Sequence, residues 1–107
     1  MEQLDGQRDQ AQIAVTVDPG GVATVAVSGD VDIANADALK ATVASVIADT
    51  PERLVFDLSD LRFIDSAGVA VLLYATEAGT PVGVLNPSPA VRRIVELTGL
   101  TAVLKIE

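Results

Sequence analysis

Apolar positions change their spacing along the chain, and the changes mark out its elements. Ile13, Val15 and Val17 alternate with Gln12, Ala14 and Thr16, the two-residue period of a strand. Asp18-Pro19-Gly20-Gly21 is a cluster of turn formers, and Val22 to Ser28 reads as a second strand, so the two make a hairpin. Gly29 is expected to end it as a turn residue. Between residues 33 and 49 the period lengthens. Ala36, Leu39, Val43, Val46 and Ile47 recur at three- and four-residue intervals as one helical stripe, with Asp37, Lys40 and Thr42 off it. Thr50-Pro51 stops that helix, because a residue before proline avoids the α region. Leu54 to Leu58 suits a short buried strand. Residues 66–78 predict a second helix closed by Gly79, and Pro81 to Leu85 another strand. Ser88-Pro89 opens a third helix, with serine as cap and proline at the first helical position. Val91, Ile94, Val95 and Leu97 supply its apolar side, and Gly99 ends it. Ala102 to Ile106 is the last predicted strand.

The predicted order is β-β-α-β-α-β-α-β. Alternation after the hairpin favours right-handed parallel crossovers, hence an α/β fold with a mixed sheet covered by helices. A chain of 107 residues suits one domain. Residues 1–10 are polar and expected to be a flexible segment, with the domain at 11–107. No internal repeat, linker or second domain is visible.

Composition narrows the chemistry. Half of the residues are hydrophobic but only 3% are aromatic, so the core is built from small aliphatic side chains. Cysteine and histidine are absent, which excludes disulfides, thiolate metal sites and thiol or imidazole catalysis. A metal site of carboxylates alone stays open, but it has no recognisable spacing. Seven Lys and Arg against fifteen Asp and Glu leave a net charge of −8. There is no basic stripe for nucleic acid, and an anionic membrane would repel the chain. No stretch approaches the roughly 18 apolar residues of a membrane span. The acidic start, MEQLDGQRDQ, is unlike a signal peptide. These features predict a cytoplasmic protein without cofactor or metal, whose partners are other proteins.

The informative stretch runs from Leu54 to Gly79, with Phe63-Ile64-Asp65-Ser66-Ala67-Gly68 at the entry to the second helix. With Asp65 as N-cap, its carboxylate accepts hydrogen bonds from the first-turn N–H groups. Ile64 and Val69 then occupy the two positions of a hydrophobic staple. Ser66 takes the first helical position, where its hydroxyl has nothing to cap and points to solvent. A helix N-terminus favours phosphate, whereas a neighbouring carboxylate repels it. A phosphate on Ser66 would therefore be tolerated by the fold and change the surface field. The plainer alternative is that Asp65 and Ser66 only start a helix. The helix itself is apolar almost all round, through Val69, Val71, Leu72, Leu73, Tyr74 and Ala75. Such a helix is either deeply buried or meets a partner.

The stretch resembles the STAS family, named for sulphate transporters and anti-sigma-factor antagonists. Val55-Phe56-Asp57-Leu58-Ser59 followed by Phe63-Ile64-Asp65-Ser66-Ala67-Gly68 is similar to its signature. Val27-Ser28-Gly29-Asp30-Val31-Asp32 resembles its Gly-x-x-Asp turn, and Val91 to Leu100 its last helix. The resemblance implies an anti-sigma-factor antagonist. The unmodified protein would bind an anti-sigma factor kinase and free a sigma factor. The kinase, using the ATP it binds, would phosphorylate the serine at Ser66 and release the antagonist, and a phosphatase would restore it. The resemblance places the partner surface at Asp32, Asp65, Ser66, Ala67 and Gly68. In this reading Asp32 lies near the serine, and Gly68 allows close approach of the partner's backbone.

Other residues have structural readings. Asp32 is read equally as a site residue and as the cap of the helix at 33–49. Asp57 ties down the loop after its strand, and Arg92 and Arg93 form a solvated helix face. Ser28, Ser45, Ser59 and Ser88 also carry hydroxyls, but none sits at the matching position. An enzyme with a serine nucleophile would need an adjacent base; no histidine exists, and Lys40 and Lys105 have no motif around them. The alternative function keeps the fold: a non-enzymatic STAS accessory subunit of a transporter or of a sensory scaffold.

Overall fold

A computed structural model describes residues 11–107, and the expected flexible segment at 1–10 lies outside the described residues. The hairpin forms as predicted. Strand β1 (Gln12–Val17) runs antiparallel to β2 (Val22–Val31), with Val15 opposite Val25. Asp18 fastens the turn, accepting from Val22 N–H at 3.0 Å through its carboxylate and from Gly21 N–H at 3.0 Å through its carbonyl.

Gly29 does not end β2. The strand continues to Val31, and Gly29 adopts φ +87° where the pairing register shifts before Asp30. That backbone conformation is open to glycine and strained for other residues, so Gly29 kinks the strand without stopping it.

The extra length of β2 makes room for a strand that the local sequence pattern does not predict. Strand β3 (Arg53–Asp57) pairs in parallel with Val22–Ala26, and β4 (Leu61–Ile64) pairs in parallel with Gly29–Val31 further along. Between them the chain turns over residues 58–60. Asp57 holds this turn as expected, accepting from Ser59 N–H at 3.1 Å and from its hydroxyl at 2.7 Å. Gly29 N–H donates to the Asp60 carbonyl at 3.1 Å. The sheet order is β1-β2-β3-β5-β6, with β5 at Val82–Leu85 and β6 at Lys105–Ile106. The final strand is shorter than expected, because Leu100–Ala102 winds into a 3₁₀ turn first.

Helices α1 (Ala36–Ala48), α2 (Ser66–Thr76) and α3 (Pro89–Leu97) complete a mixed α/β domain. Their inner residues, among them Leu39, Val43, Val71, Leu72, Val91 and Val95, join Val25, Val27, Leu54, Phe56 and Val84 of the sheet in one apolar cluster. Each fully buried Val, Leu or Phe contributes about 1.5–3 kcal/mol relative to exposure. The predicted cap of α3 is present, with the Ser88 hydroxyl accepting from Val91 N–H at 3.2 Å.

Apolar residues of the predicted elements are exposed at Val15, Val17 and Leu97. Leu97 is 73% exposed and does not face the core. Val15 and Val17 share the inward face of the hairpin, yet β1 is the outermost strand and an open groove separates Val15 from Val46 of α1 and from Asp49, the residue that caps its C-terminus. Their alternation marks a strand correctly but not a buried one.

Candidate functional site

The parallel pairing of β2 with β4 brings two segments of the chain together. Val31 lies opposite Ile64, and Asp65 N–H donates to the Val31 carbonyl at 3.0 Å. From this last contact, Asp32 and Asp65 leave the ladder as neighbours. One segment turns toward α1, the other enters α2.

Asp65 is the N-cap of α2. Its backbone is extended, at φ −101° and ψ −172°, and its carboxylate accepts from Ala67 N–H at 2.9 Å and Gly68 N–H at 3.1 Å. Two otherwise unpaired first-turn donors are satisfied by one side chain. Asp65→Ala should therefore lower stability by about 0.5–2 kcal/mol, while Asp65→Asn, an equally good cap, should retain most of it. Urea unfolding of the two variants checks this. An equal loss in both would show that the charge, not the cap, is what matters.

Ser66 follows as the first helical residue. It is exposed, and its hydroxyl has no hydrogen-bond partner among the described residues. Ala67 is half-buried and Gly68 is buried. A Cβ on Gly68 would lie 2.5 Å from Ile64 Cγ1 and 2.7 Å from Val31 Cγ1. The space freed by this glycine is thus taken by the chain's own β2 and β4, and no partner backbone can approach there. The apolar surround of α2 has a similar origin. Val71, Leu72 and Ala75 are buried, Val69 and Tyr74 pack against the core, and Lys40 of α1 lies 4.8 Å from the Tyr74 ring centre. Leu73 alone among its large apolar residues is exposed.

Asp32 is half-buried and does not cap the first turn of α1. It organises the turn ahead of the helix. Its carboxylate accepts from Ala34 N–H at 2.9 Å, and its carbonyl accepts from Asn35 and Ala36 N–H at 3.1 and 2.9 Å. Asn35 occupies the N-cap position and locks the same turn from the other side. Its side chain accepts from Asp32 N–H at 3.0 Å and donates to the Asp30 carbonyl at 2.9 Å. The sequence reading missed Asn35, although asparagine just ahead of an apolar stripe is a common cap signal. It also missed two exposed apolar residues on these segments, Ile33 and Phe63. Beside them, Arg62 pairs with Asp30 at 3.3 Å.

Among the described residues, no group of three or more acidic, histidine or cysteine side chains is placed to hold a metal ion. No helix there is long and apolar enough to cross a membrane. The site therefore consists of a presented hydroxyl, a capping carboxylate and a rigid neighbouring turn. The family model for the STAS domain matches residues 13–107. The chain belongs to the STAS domain family.

Several similar proteins are named as anti-sigma factor antagonists. An anti-sigma-F factor antagonist, RsfB of Mycobacterium tuberculosis, is 35% identical over 98 residues, covering 88% of this chain and 80% of the relative. An anti-sigma F factor antagonist of Paenibacillus polymyxa is 29% identical over 91 residues, covering 80% and 78%. The crystal structure of an anti-sigma factor antagonist from Mycobacterium paratuberculosis superimposes with a TM-score of 0.83 at 38% identity, covering 92% of this chain and 86% of that one.

Proposed function

We propose that this STAS domain antagonises an anti-sigma factor, and that phosphorylation of Ser66 switches it off. The observation that carries the reading is the free, exposed Ser66 hydroxyl at the first turn of α2, within Asp65-Ser66-Ala67-Gly68. The names of the similar mycobacterial and Paenibacillus proteins support the direction of the effect. Unmodified, the chain binds an anti-sigma factor with serine kinase activity and frees the sigma factor. The kinase then transfers the γ-phosphoryl group of its own ATP to the Ser66 oxygen. ADP leaves, and the hydroxyl proton passes to a base of the kinase. The modified chain dissociates, and a phosphatase hydrolyses the phosphate to renew it.

The chain is the substrate in this scheme and not the catalyst. It holds no histidine or cysteine to activate a hydroxyl. It supplies position and field. The positive end of α2 favours an exposed phosphate by about 0.3–1 kcal/mol. Asp65 opposes it with its own charge, but its carboxylate is held by two N–H groups and stays in place. Asp32, Asp65, Ser66 and Ala67 form the surface on which the partner sits, with Gly68 beneath them. Intact-mass measurement after incubation with the anti-sigma kinase and ATP tests the assignment. One phosphate is expected on the wild type and none on Ser66→Ala. Undiminished phosphorylation of the alanine variant would remove Ser66 from its role.

A further inference from the structure

Two large apolar side chains stand exposed on the segments that border Ser66. Ile33 is 82% exposed and Phe63 is 49% exposed. Neither exposure comes from a loose loop. Ile33 is carried by the turn that Asp32 and Asn35 lock with hydrogen bonds of 2.9 to 3.1 Å. Phe63 is carried by β4, whose pairing with β2 sets it opposite Asp30, while its neighbour Ile64 is buried. The fold thus holds two greasy side chains in water on the two segments that meet where Asp65 N–H bonds the Val31 carbonyl, one residue before Ser66. The rim around them is acidic. Asp32 adjoins Ile33 in the chain, Asp65 follows Phe63 by two residues, and Asp30, opposite Phe63, pairs with Arg62 at 3.3 Å.

We infer that Ile33 and Phe63 are the apolar anchors by which the unmodified chain holds the anti-sigma kinase, an inference that rests on the proposed function. The matching surface on the kinase is an apolar recess that closes over both side chains. Apolar anchors at the centre of an interface, ringed by polar groups, carry most of its binding energy. The arrangement also explains how one phosphate releases the partner. Ile33 and Phe63 bind only by shedding water, and a group of roughly −2 charge on Ser66 keeps water at the same surface. Docking precedes transfer and does not touch the reacting atoms. Loss of an anchor therefore raises KM for phosphorylation and leaves kcat near its original value.

The test uses the full chain and a purified anti-sigma kinase from its own cell, loaded with ADP for calorimetry and with ATP for kinetics. Ile33→Ala and Phe63→Ala should each weaken binding about tenfold or more and raise KM in parallel. Leu97→Ala, an exposed apolar residue at the end of α3, should bind like the wild type. Thermal unfolding guards against misfolding of the Phe63 variant, and Ile33, on a turn surface, provides the test independent of it. A wild type that is bound and phosphorylated, with both anchor variants unchanged in affinity and KM, would overturn the inference and leave the proposed function standing. A wild type that neither binds nor accepts phosphate would overturn both. Sedimentation showing a dimer of the free chain that Ile33→Ala dissolves would overturn it too, by assigning the patch to a second copy.

Discussion

Ser66→Glu is expected to weaken binding to the anti-sigma kinase by about 2–5 kcal/mol, while Ser66→Ala binds nearly as the wild type does. The lower end of that range is already about a thirtyfold loss of affinity. Alanine removes a hydroxyl that has no hydrogen-bond partner among the described residues, so no bond there is lost. Glutamate adds a charge next to Asp65, at a surface that the partner must cover. Burying that charge unpaired is costly, and the acidic rim offers it no counter-ion. The loss cannot come from a disturbed fold. A carboxylate in the first turn of α2 interacts favourably with the helix by about 0.3–1 kcal/mol, which is small beside the ~5–15 kcal/mol that stabilises an ordinary domain. Calorimetry of both variants, with thermal unfolding alongside, reads the two effects separately. Equal affinities for alanine and glutamate would refute a switch that works by charge.

Local chemistry made much of this legible in advance. The hairpin, the stripe of α1 and the Ser88-Pro89 opening of α3 each depend on residues within one or two turns of chain, and each is present. The Asp65 cap belongs to the same class, because the donors it satisfies lie two and three residues away. What escaped depends on distant neighbours. Strand β4 has the sequence Leu-Arg-Phe-Ile, which does not alternate, and it is a strand because β2 runs past Gly29 to meet it. The cap reading of Asp32, one of its two, fails because its carboxylate bonds Ala34 N–H in the turn ahead of α1 and not the helix itself. Ile33 and Phe63 could not be seen as exposed, since exposure depends on what packs over a residue and not on its own type. The hairpin valines show the same limit from the opposite direction, with alternation intact and Val17 still 64% exposed.

Helix α2 is the instructive case, because its sequence contains no polar stripe to set its rotational phase. An amphipathic helix declares its inner face, whereas one that is apolar all round leaves that choice to the strands around it. The reading of Gly68 as a window for a partner's backbone rests on an outward phase that the helix sequence does not fix. The structure turns it inward, onto Val31 and Ile64.

Gly68→Val is accordingly expected to destabilise the domain by about 3 kcal/mol, at the upper end of the usual cost of overpacking a core. For a chain of this size that lowers the melting temperature by more than about 10 °C. A first added carbon already lies 2.5 and 2.7 Å from branch carbons of Ile64 and Val31. Both neighbours are buried, 3% and 0% exposed, so neither can swing away into solvent. Gly68→Ala should cost less, because the same overpacking of about 1–3 kcal/mol is partly offset by the ~1 kcal/mol that alanine gains over glycine in a helix. The source of the strain can be isolated with Ile64→Ala, which removes the nearest obstructing atom. In that background Gly68→Ala should cost less than in the wild type, with a coupling of about 0.5–3 kcal/mol between the two sites. Urea unfolding of the four proteins in the cycle measures it. A window for a partner would behave in the opposite way: unfolding would be unchanged by substitution at Gly68, and only kinase binding would fall.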